Sequence, residues 1–549
     1  PQPAAPGAAP QPEAVPGGGL APRDQVLAQS PRIAIDTPAV SGSLHLKGAQ
    51  LDDLRLKNYR ETVRPGSPTI VLLSPFGAKD SFVADTGFSV APGTMVKLPT
   101  SATVWQAPPG ARLTPASPVT LTFDNGEGLL FRKTFAVDDK FLFTVTQEVE
   151  NRSATPQTLF PYGRVLRVGL PPITNNYLLH EGLLGVFDKT LTEVDYADLM
   201  EEEENAQTIT KPSTGGWLGI TDKYWAVALI PPQEAKIDGS FHFQGAGGAE
   251  TFQANFLAKD GLTVPPGGTV AARDHIFAGA KVVSIIDAYG DAFGIHRFDL
   301  MIDWGWFAFL TKPMFWLLDT IFALVGNFGL AILLVTVLVK LVFFPLANKS
   351  YESMSKMKKL QPEMERLKQQ YPDDRMALQK EMMALYKKEK VSPVSGCLPV
   401  LIQIPVFFAL YKVLFVTIEM RHAPFYGWIR DLSAPDPTSL FNLFGLIPWD
   451  PPAFLLIGVW PLIMGVTMWM QMRLNPTPPD PIQASLFNWM PVIFTFMLAA
   501  FPAGLVIYWA WNNLLSIAQQ SVIMKRQGVK IDFLGNIRQS LPFLKRKTS

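Results

Sequence analysis

Residues 330–349 read LAILLVTVLVKLVFFPLANK, and this run decides what kind of chain this is. At ~1.5 Å per residue, about 20 apolar residues match a ~30 Å hydrocarbon core, so the stretch predicts a membrane span. Lys340 stands inside it, with Thr336 one helical turn earlier on the same face. A lysine at that depth costs ~3 kcal/mol on insertion scales, which makes it a functional candidate. The plainer reading is a side chain that snorkels to the headgroups.

Downstream, the apolar segments 398–418, 453–472, 486–500 and 503–524 join 327–346 to predict a membrane domain over 327–524 with five spans. Only FPAG links the last two, which therefore form a tight hairpin. The apolar insert 440–449 is too short to span and is expected on the membrane surface. Pro405, Pro461 and Pro491 predict kinks. Between the first two spans, residues 347–391 are rich in Lys, Arg, Glu and Met. Met354, Met357, Leu360, Met364 and Leu367 recur at helical spacing, YPDD at 371–374 breaks the run, and Met376, Met383 and Tyr386 continue it. This predicts a two-helix hairpin outside the bilayer. Its stripe of Met354, Met357, Met364, Met376 and Met383 is either ordinary helix packing or an adaptable contact surface for partners.

Loop charge orients these spans. The hairpin carries Lys349, Lys356, Lys358, Lys359, Lys387 and Lys388, and the tail 525–549 is basic as well. The loop between Glu419 and Pro452 holds only Arg421 and Arg430. Hairpin and tail are therefore expected in the cytoplasm. An odd number of spans puts everything upstream on the far side, and an exported domain there calls for an anchor helix ahead of residue 1.

Upstream, residues 1–23 are a Pro/Gly/Ala-rich linker that cannot pack a core. Residues 24–296 change to period-2 alternation, as in Leu44, Leu51, Leu54 and Leu56, then Phe141, Phe143, Val145 and Val149, and later Trp225, Val227 and Leu229. Separated by Gly, Pro and Asn signals, these runs predict a large antiparallel β-sandwich. Cys397 is the sole cysteine, so no intrachain disulfide forms. His45, His180, His242 and His275 lack metal-ligand spacing, and no metal or cofactor is expected. His180–Glu181 reads either as an acid/base pair or as a plain loop, and Glu201–Glu204 as a solvated acidic stretch. Residues 297–326, with Trp304, Trp306 and Trp316 and charges at Asp303, Lys312 and Asp319, predict an interfacial amphipathic helix broken at Pro313, with a short span as the alternative. A net charge of +1 makes no case for DNA as a partner.

With this topology Lys340, Gln403, Thr467, Gln471, Ser516 and Gln519 fall at matched depth in the cytoplasmic half, and Thr336, Thr495 and Asn512 lie nearer the middle. The spans contain no Asp or Glu, so an intramembrane Lys340 needs water. That predicts a polar groove open to the cytoplasm, able to host a polar, acidic segment in transit. Lys412, with Glu419 two turns on, is expected to snorkel outward. Ion-coupled transport usually needs intramembrane carboxylates and repeat symmetry, and neither is evident.

SGSLHLKGAQLDDLRLKNY (41–59), EMMALYKKEKVSPVSGCLPVLIQIPVFFALY (381–411), MPVIFTF (490–496) and FPAGLVIYW (501–509) resemble the YidC-type membrane protein insertases, relatives of the mitochondrial Oxa and chloroplast Alb proteins. The resemblance covers about residues 30–530. It implies an α+β multi-domain fold: a periplasmic β-super-sandwich of a kind related to sugar mutarotases, then a polytopic helical insertase domain with a cytoplasmic helical hairpin. It implies no enzymatic reaction; the function is insertion and folding of nascent membrane proteins in the bacterial inner membrane, alone or beside the Sec translocon. Ribosome contact is expected through hairpin and tail. The family's groove arginine falls on Lys340, a departure that keeps charge but loses the bidentate fork. The groove threonine falls on Thr336 and the aromatic pair of the last helix on Tyr508 and Trp509. Lys412 also departs, standing where an uncharged residue is expected. The groove is thus assigned Lys340, Thr336, Gln403, Tyr508, Trp509, Asn512, Ser516 and Gln519. A solute transporter and a membrane-anchored periplasmic carbohydrate-active protein remain the competing readings.

Overall fold

A computed structural model describes residues 21–171, 179–200, 206–245, 250–372, 374–389, 391, 398–449, 451–452, 455–474 and 481–528. The chain divides into two compact units, one running to Asp303 and including Val416–Ile418, the other beginning at Trp304.

Among the described residues of the first unit, an eleven-stranded and an eight-stranded sheet carry the fold, antiparallel except where Arg32–Asp36 runs parallel to Arg112–Leu113. Strand Leu129–Val137 alternates buried and half-buried positions throughout, so every second side chain enters the core. Phe143, Val145 and Val149 of the next strand, and Leu44, Leu51, Leu54 and Leu56, are buried as their alternation predicts. Trp225–Ile230 differs: Ala226 to Ile230 are all buried, because neighbouring strands flank this strand and both its faces are covered. The sheets meet through Phe88 and Phe131, with centroids 6.4 Å apart, and through an edge-to-face contact of Phe187 with Phe241. Short helices α1 (Arg23–Leu27) and α2 (Tyr196–Met200) and a longer α3 (Val283–Phe293) complete the unit. Glu201–Glu204 lie outside the described residues.

The boundary expected at 296/297 is corrected. Phe298 is buried and stacks edge-to-face on Trp217, whose indole donates to the His296 carbonyl at 3.2 Å. Residues 298–301 therefore cap the sandwich as one short 3-10 turn, and the long helix begins only at Ala308.

In the second unit α4 (Ala308–Val325) is continuous through Pro313, against the expected break. A proline there removes a single i to i−4 bond, and burial of Met314, Phe315, Leu318 and Ile321 along one face holds the helix together. Next come α5 (Phe328–Val342), α6 (Phe344–Lys359), α7 (Gln361–Gln370), α8 (Arg375–Lys388), α9 (Leu398–Val416), α10 (Val459–Leu474), α11 (Pro481–Leu498) and α12 (Ala503–Arg526). Asn327 caps α5 by accepting from the Leu330 amide. The helix breaks at Phe343, and α6 restarts at a 70° bend with Pro345 in its first turn, where a proline has no helical amide bond to lose. Pro405 and Pro491 lie inside α9 and α11, but Pro461 sits in the first turn of α10. That turn has no amide bond to lose, so the kink expected at Pro461 has no cause. By length and composition α4 suffices to cross a membrane, as does the bent α5–α6 pair if taken as one; the apolar parts of α9 and α11, Gln403–Val416 and Ser485–Leu498, are shorter.

Candidate functional site

α5 and α12 share a polar stripe. Tyr508, Asn512 and Ser516 follow one another at four-residue spacing, which puts them on one face of α12. That face meets α5 where Lys340 occupies the last helical turn. Lys340 Nζ donates to Ser516 Oγ at 2.6 Å, and Ser516 Oγ donates to the Asn512 carbonyl at 2.8 Å. Thr336, buried, donates to the Ile332 carbonyl at 2.7 Å. Among the described residues Lys340 forms no ion pair. Its favourable surroundings are a hydroxyl and the C-terminal carbonyl end of its own helix, where a cation is preferred.

These groups line a cleft of about 570 Å³. Of the sequence-assigned residues, Lys340, Thr336, Gln403, Tyr508 and Asn512 form its wall, and Ser516 reaches it through the Lys340 bond. The remainder of the wall is mostly apolar, and Phe343, Leu346, Ala347 and Tyr351 enter it because the bend at Phe343 folds α6 alongside. Sequence spacing along α5 could not reveal this turn. The one available signal was Pro345 itself.

Two assigned residues lie elsewhere. Trp509 sits about 100° around the helix from Tyr508 and packs edge-to-face on Phe407 and Phe494, against a core of Met464, Met468, Leu498, Val506 and Ala510. Gln519 donates to Asn348 of α6 at 3.1 Å. Thr467 and Thr495, expected at matched depth, join helices: Asn513 donates to Thr467 at 3.3 Å, and Thr495 Oγ1 stands where a side chain at Gly465 would begin, so only glycine lets α10 and α11 approach so closely. Lys412 lies against Gly305.

The hairpin methionines divide as well. Met364 with Met382 and Tyr386 forms the core between α7 and α8, with Met357 at its edge. Met354 packs with Tyr351 and Ile523. Met376 and Met383 face outward, 83% and 56% exposed. Met382, one residue from the assigned Met383, is the packing residue that helical phase alone left unresolved.

In the β unit His180 and Glu181 act separately. His180 pairs with Asp195 at 2.7 Å and the Leu183 carbonyl at 3.0 Å, and Glu181 accepts from the Lys223 amide at 3.0 Å. Both bonds fix local backbone, as the loop reading has it. No group of three metal-ligating side chains occurs among the described residues.

Residues 32–317 match the YidC periplasmic domain and residues 320–530 the 60Kd inner membrane protein family. A membrane protein insertase YidC of Nitrobacter hamburgensis is 54% identical over 543 residues, covering 96% of this chain and 88% of its own length. That of Rhizobium meliloti is 55% identical over 541 residues, covering 98% and 89%. Among solved structures, an active YidC insertase with its first transmembrane domain resolved aligns over 89% of this chain and 91% of its own, at 18% identity and a TM-score of 0.37. A galactose mutarotase related enzyme of Lactobacillus acidophilus aligns over 45% of this chain and 97% of its own, at 10% identity and a TM-score of 0.32.

Proposed function

Because the chain belongs to the family of YidC membrane protein insertases, which are inner-membrane proteins and not enzymes, we propose that the cleft around Lys340 is the groove in which a client's polar segment rests during insertion. The observation that carries this reading is that, among the described residues, Lys340 pairs with a hydroxyl and with no carboxylate. A cation without a carboxylate partner inside a helical bundle must be hydrated or meet an anion from outside. An acidic client segment supplies one, and the groove shortens its path through hydrocarbon. Tyr508, Gln403 and Asn512 offer further polar contacts, and Phe343 and Val406 suit the apolar flank of the same segment.

Topology follows from loop charge: five spans, with hairpin and tail in the cytoplasm and the β unit in the periplasm. The hairpin then meets clients or the ribosome as they arrive. Met376 and Met383, exposed at the ends of flexible side chains, supply an adaptable contact surface there. Cooperation with the Sec translocon belongs to the same proposal. The basic tail beyond residue 528 lies outside the described residues. The transporter and carbohydrate-active readings fall with the family membership.

A photo-crosslinker tests the groove directly. Placed at Tyr508 or Gln403 it should capture nascent membrane proteins during insertion, while at Trp509 it should capture few. Equal yields at 508 and 509 would show that clients do not select the cleft face.

A further inference from the structure

The β unit holds a second cavity, of about 1110 Å³, between the inner faces of its two sheets. Strand pairing places polar residues opposite one another there. Asp85 pairs in register with Arg164 on one sheet, and Lys133 with Gln147 on the other. Side chains opposite each other in a ladder share a face and successive ones alternate, so Lys133 and Gln147 point at the other sheet with Phe131, Thr86 points back with Phe88, and Asp85 and Arg164 pair on the far face of their sheet. All four paired polar residues are buried.

Their hydrogen bonds are unevenly satisfied. Asp85 is fully engaged: Arg164 donates to it twice, at 3.1 and 2.6 Å, and Gln50 once at 3.0 Å. Among the described residues it is the only carboxylate at the cavity, where three basic residues also stand. Arg132 is spent on Glu150 at 2.5 Å. Lys133 Nζ crosses to the other sheet, donates to the Thr86 carbonyl at 2.5 Å, and lies 5.4 Å from the centre of the Trp105 ring. An ammonium has three protons, and two are left for the cavity. The indole N–H of Trp105 and the hydroxyl of Thr86, both buried on the same wall, have no hydrogen-bond partner among the described residues. Gln147 is turned to the Asp274 carboxyl and is not among the donors left over. Unpaired buried donors are costly, on the order of 1–3 kcal/mol each. Finding several around one cavity points to an occupant that accepts.

We propose that this inter-sheet cavity binds a small organic carboxylate, whose oxygens accept from Lys133 Nζ, Trp105 Nε1 and the Thr86 hydroxyl, while its apolar body lies against Phe88 and Phe131. Charge selects the class. With Arg164 and Arg132 already paired, Lys133 is the one cation free to meet a ligand, which matches a single negative charge better than a doubly charged phosphate. The aromatic side of the wall favours a body of hydrocarbon over a bare inorganic ion.

The test uses the full chain in detergent micelles and three probes: phenylacetate, its neutral amide and inorganic phosphate. Titration calorimetry should find one phenylacetate per chain. The amide should bind roughly tenfold or more weakly, the size of one lost charge-assisted hydrogen bond, and phosphate more weakly than phenylacetate. Lys133→Met should abolish binding. Trp105→Phe and Thr86→Val remove only a donor each, and each should weaken binding about fivefold to tenfold. They keep the test decisive if Lys133→Met does not fold. No binding of phenylacetate, equal binding of its amide, tighter binding of phosphate, or full affinity in folded Trp105→Phe and Thr86→Val would overturn the assignment.

Discussion

Lys133 and Lys340 both hold an ammonium group away from bulk water, under different conditions. Lys133, 3% exposed in the sandwich, donates to a backbone carbonyl and feels two carboxylates, Asp85 and Asp274. Burial still pushes its pKa down to about 8, against the pull of those acids. Lys340, half-buried in the cleft, has one hydroxyl, a helix C-terminus and no carboxylate. In the sandwich the polar groups form a network that cannot lose a member cheaply. In the cleft the lysine stands alone and open to what enters. Lys133 is thus fixed within the fold with donors left over for a small ligand, and Lys340 stands open to a larger one.

The comparison breaks most severely at the Asp85–Arg164 pair. Asp85→Ala leaves a buried guanidinium uncompensated and should cost about 3–5 kcal/mol, read as a lower denaturation midpoint of the isolated fragment 21–303. The same fragment should fold as a β-rich unit without disulfides, and a helical or unfolded circular dichroism spectrum would refute this.

A pH-dependent effect comes next. Burial raises the Asp274 carboxyl from its ordinary 3.8 to about 7, with Gln147 and Lys133 opposing. A carboxyl raised in the folded state is penalised when ionised, so the penalty is absent below the unfolded pKa and complete above about 7. Asp274→Asn should therefore be nearly silent at pH 4 and stabilise the fragment at pH 8, by on the order of 2–4 kcal/mol. Equal effects at both pH values would mean that the carboxyl is not buried in this way.

In the helical unit, Met364→Ala should destabilise the α7–α8 pair by about 2 kcal/mol through a cavity beside Tyr386. Met376→Ala should change stability by less than ~0.5 kcal/mol and, if the exposed face receives clients or the ribosome, slow insertion. Hydrogen exchange and insertion assays read the two effects separately. Lys340→Leu should be the mildest for stability, within about 1 kcal/mol and of either sign, because no buried partner is orphaned.

How far the sequence alone reaches can be seen residue by residue. Alternation at Phe143, Val145 and Val149 was legible because one face of their strand is half-covered. Trp225–Ile230 hid its two-sided burial, which depends on what packs on each face of the sheet and leaves no alternation to read. The Lys133–Gln147 and Asp85–Arg164 pairs were invisible, since register is set by turns and distant partners. In the helices, Thr336, Lys340, Asn512 and Ser516 were legible as rare polar residues in apolar runs. The family resemblance pairs Tyr508 with Trp509, but successive helical residues point about 100° apart, and the packing of Trp509 on Phe407 and Phe494 separates them. The place of Tyr351 on the cleft wall follows from the 70° bend and no periodicity announces it.

The account stands or falls on whether the charge at position 340 attracts clients. Insertion by the full chain in native membranes should be measured for one client whose translocated tail is graded from neutral to strongly acidic. With clients and water as its partners, Lys340→Arg should be nearly silent, and Lys340→Glu should impair acidic-tailed clients most, since attraction becomes repulsion across a low-dielectric groove. The defect should grow with each added acid. If Lys340→Glu inserts acidic-tailed and neutral-tailed clients equally well, or impairs them equally, the cleft charge is not what receives them.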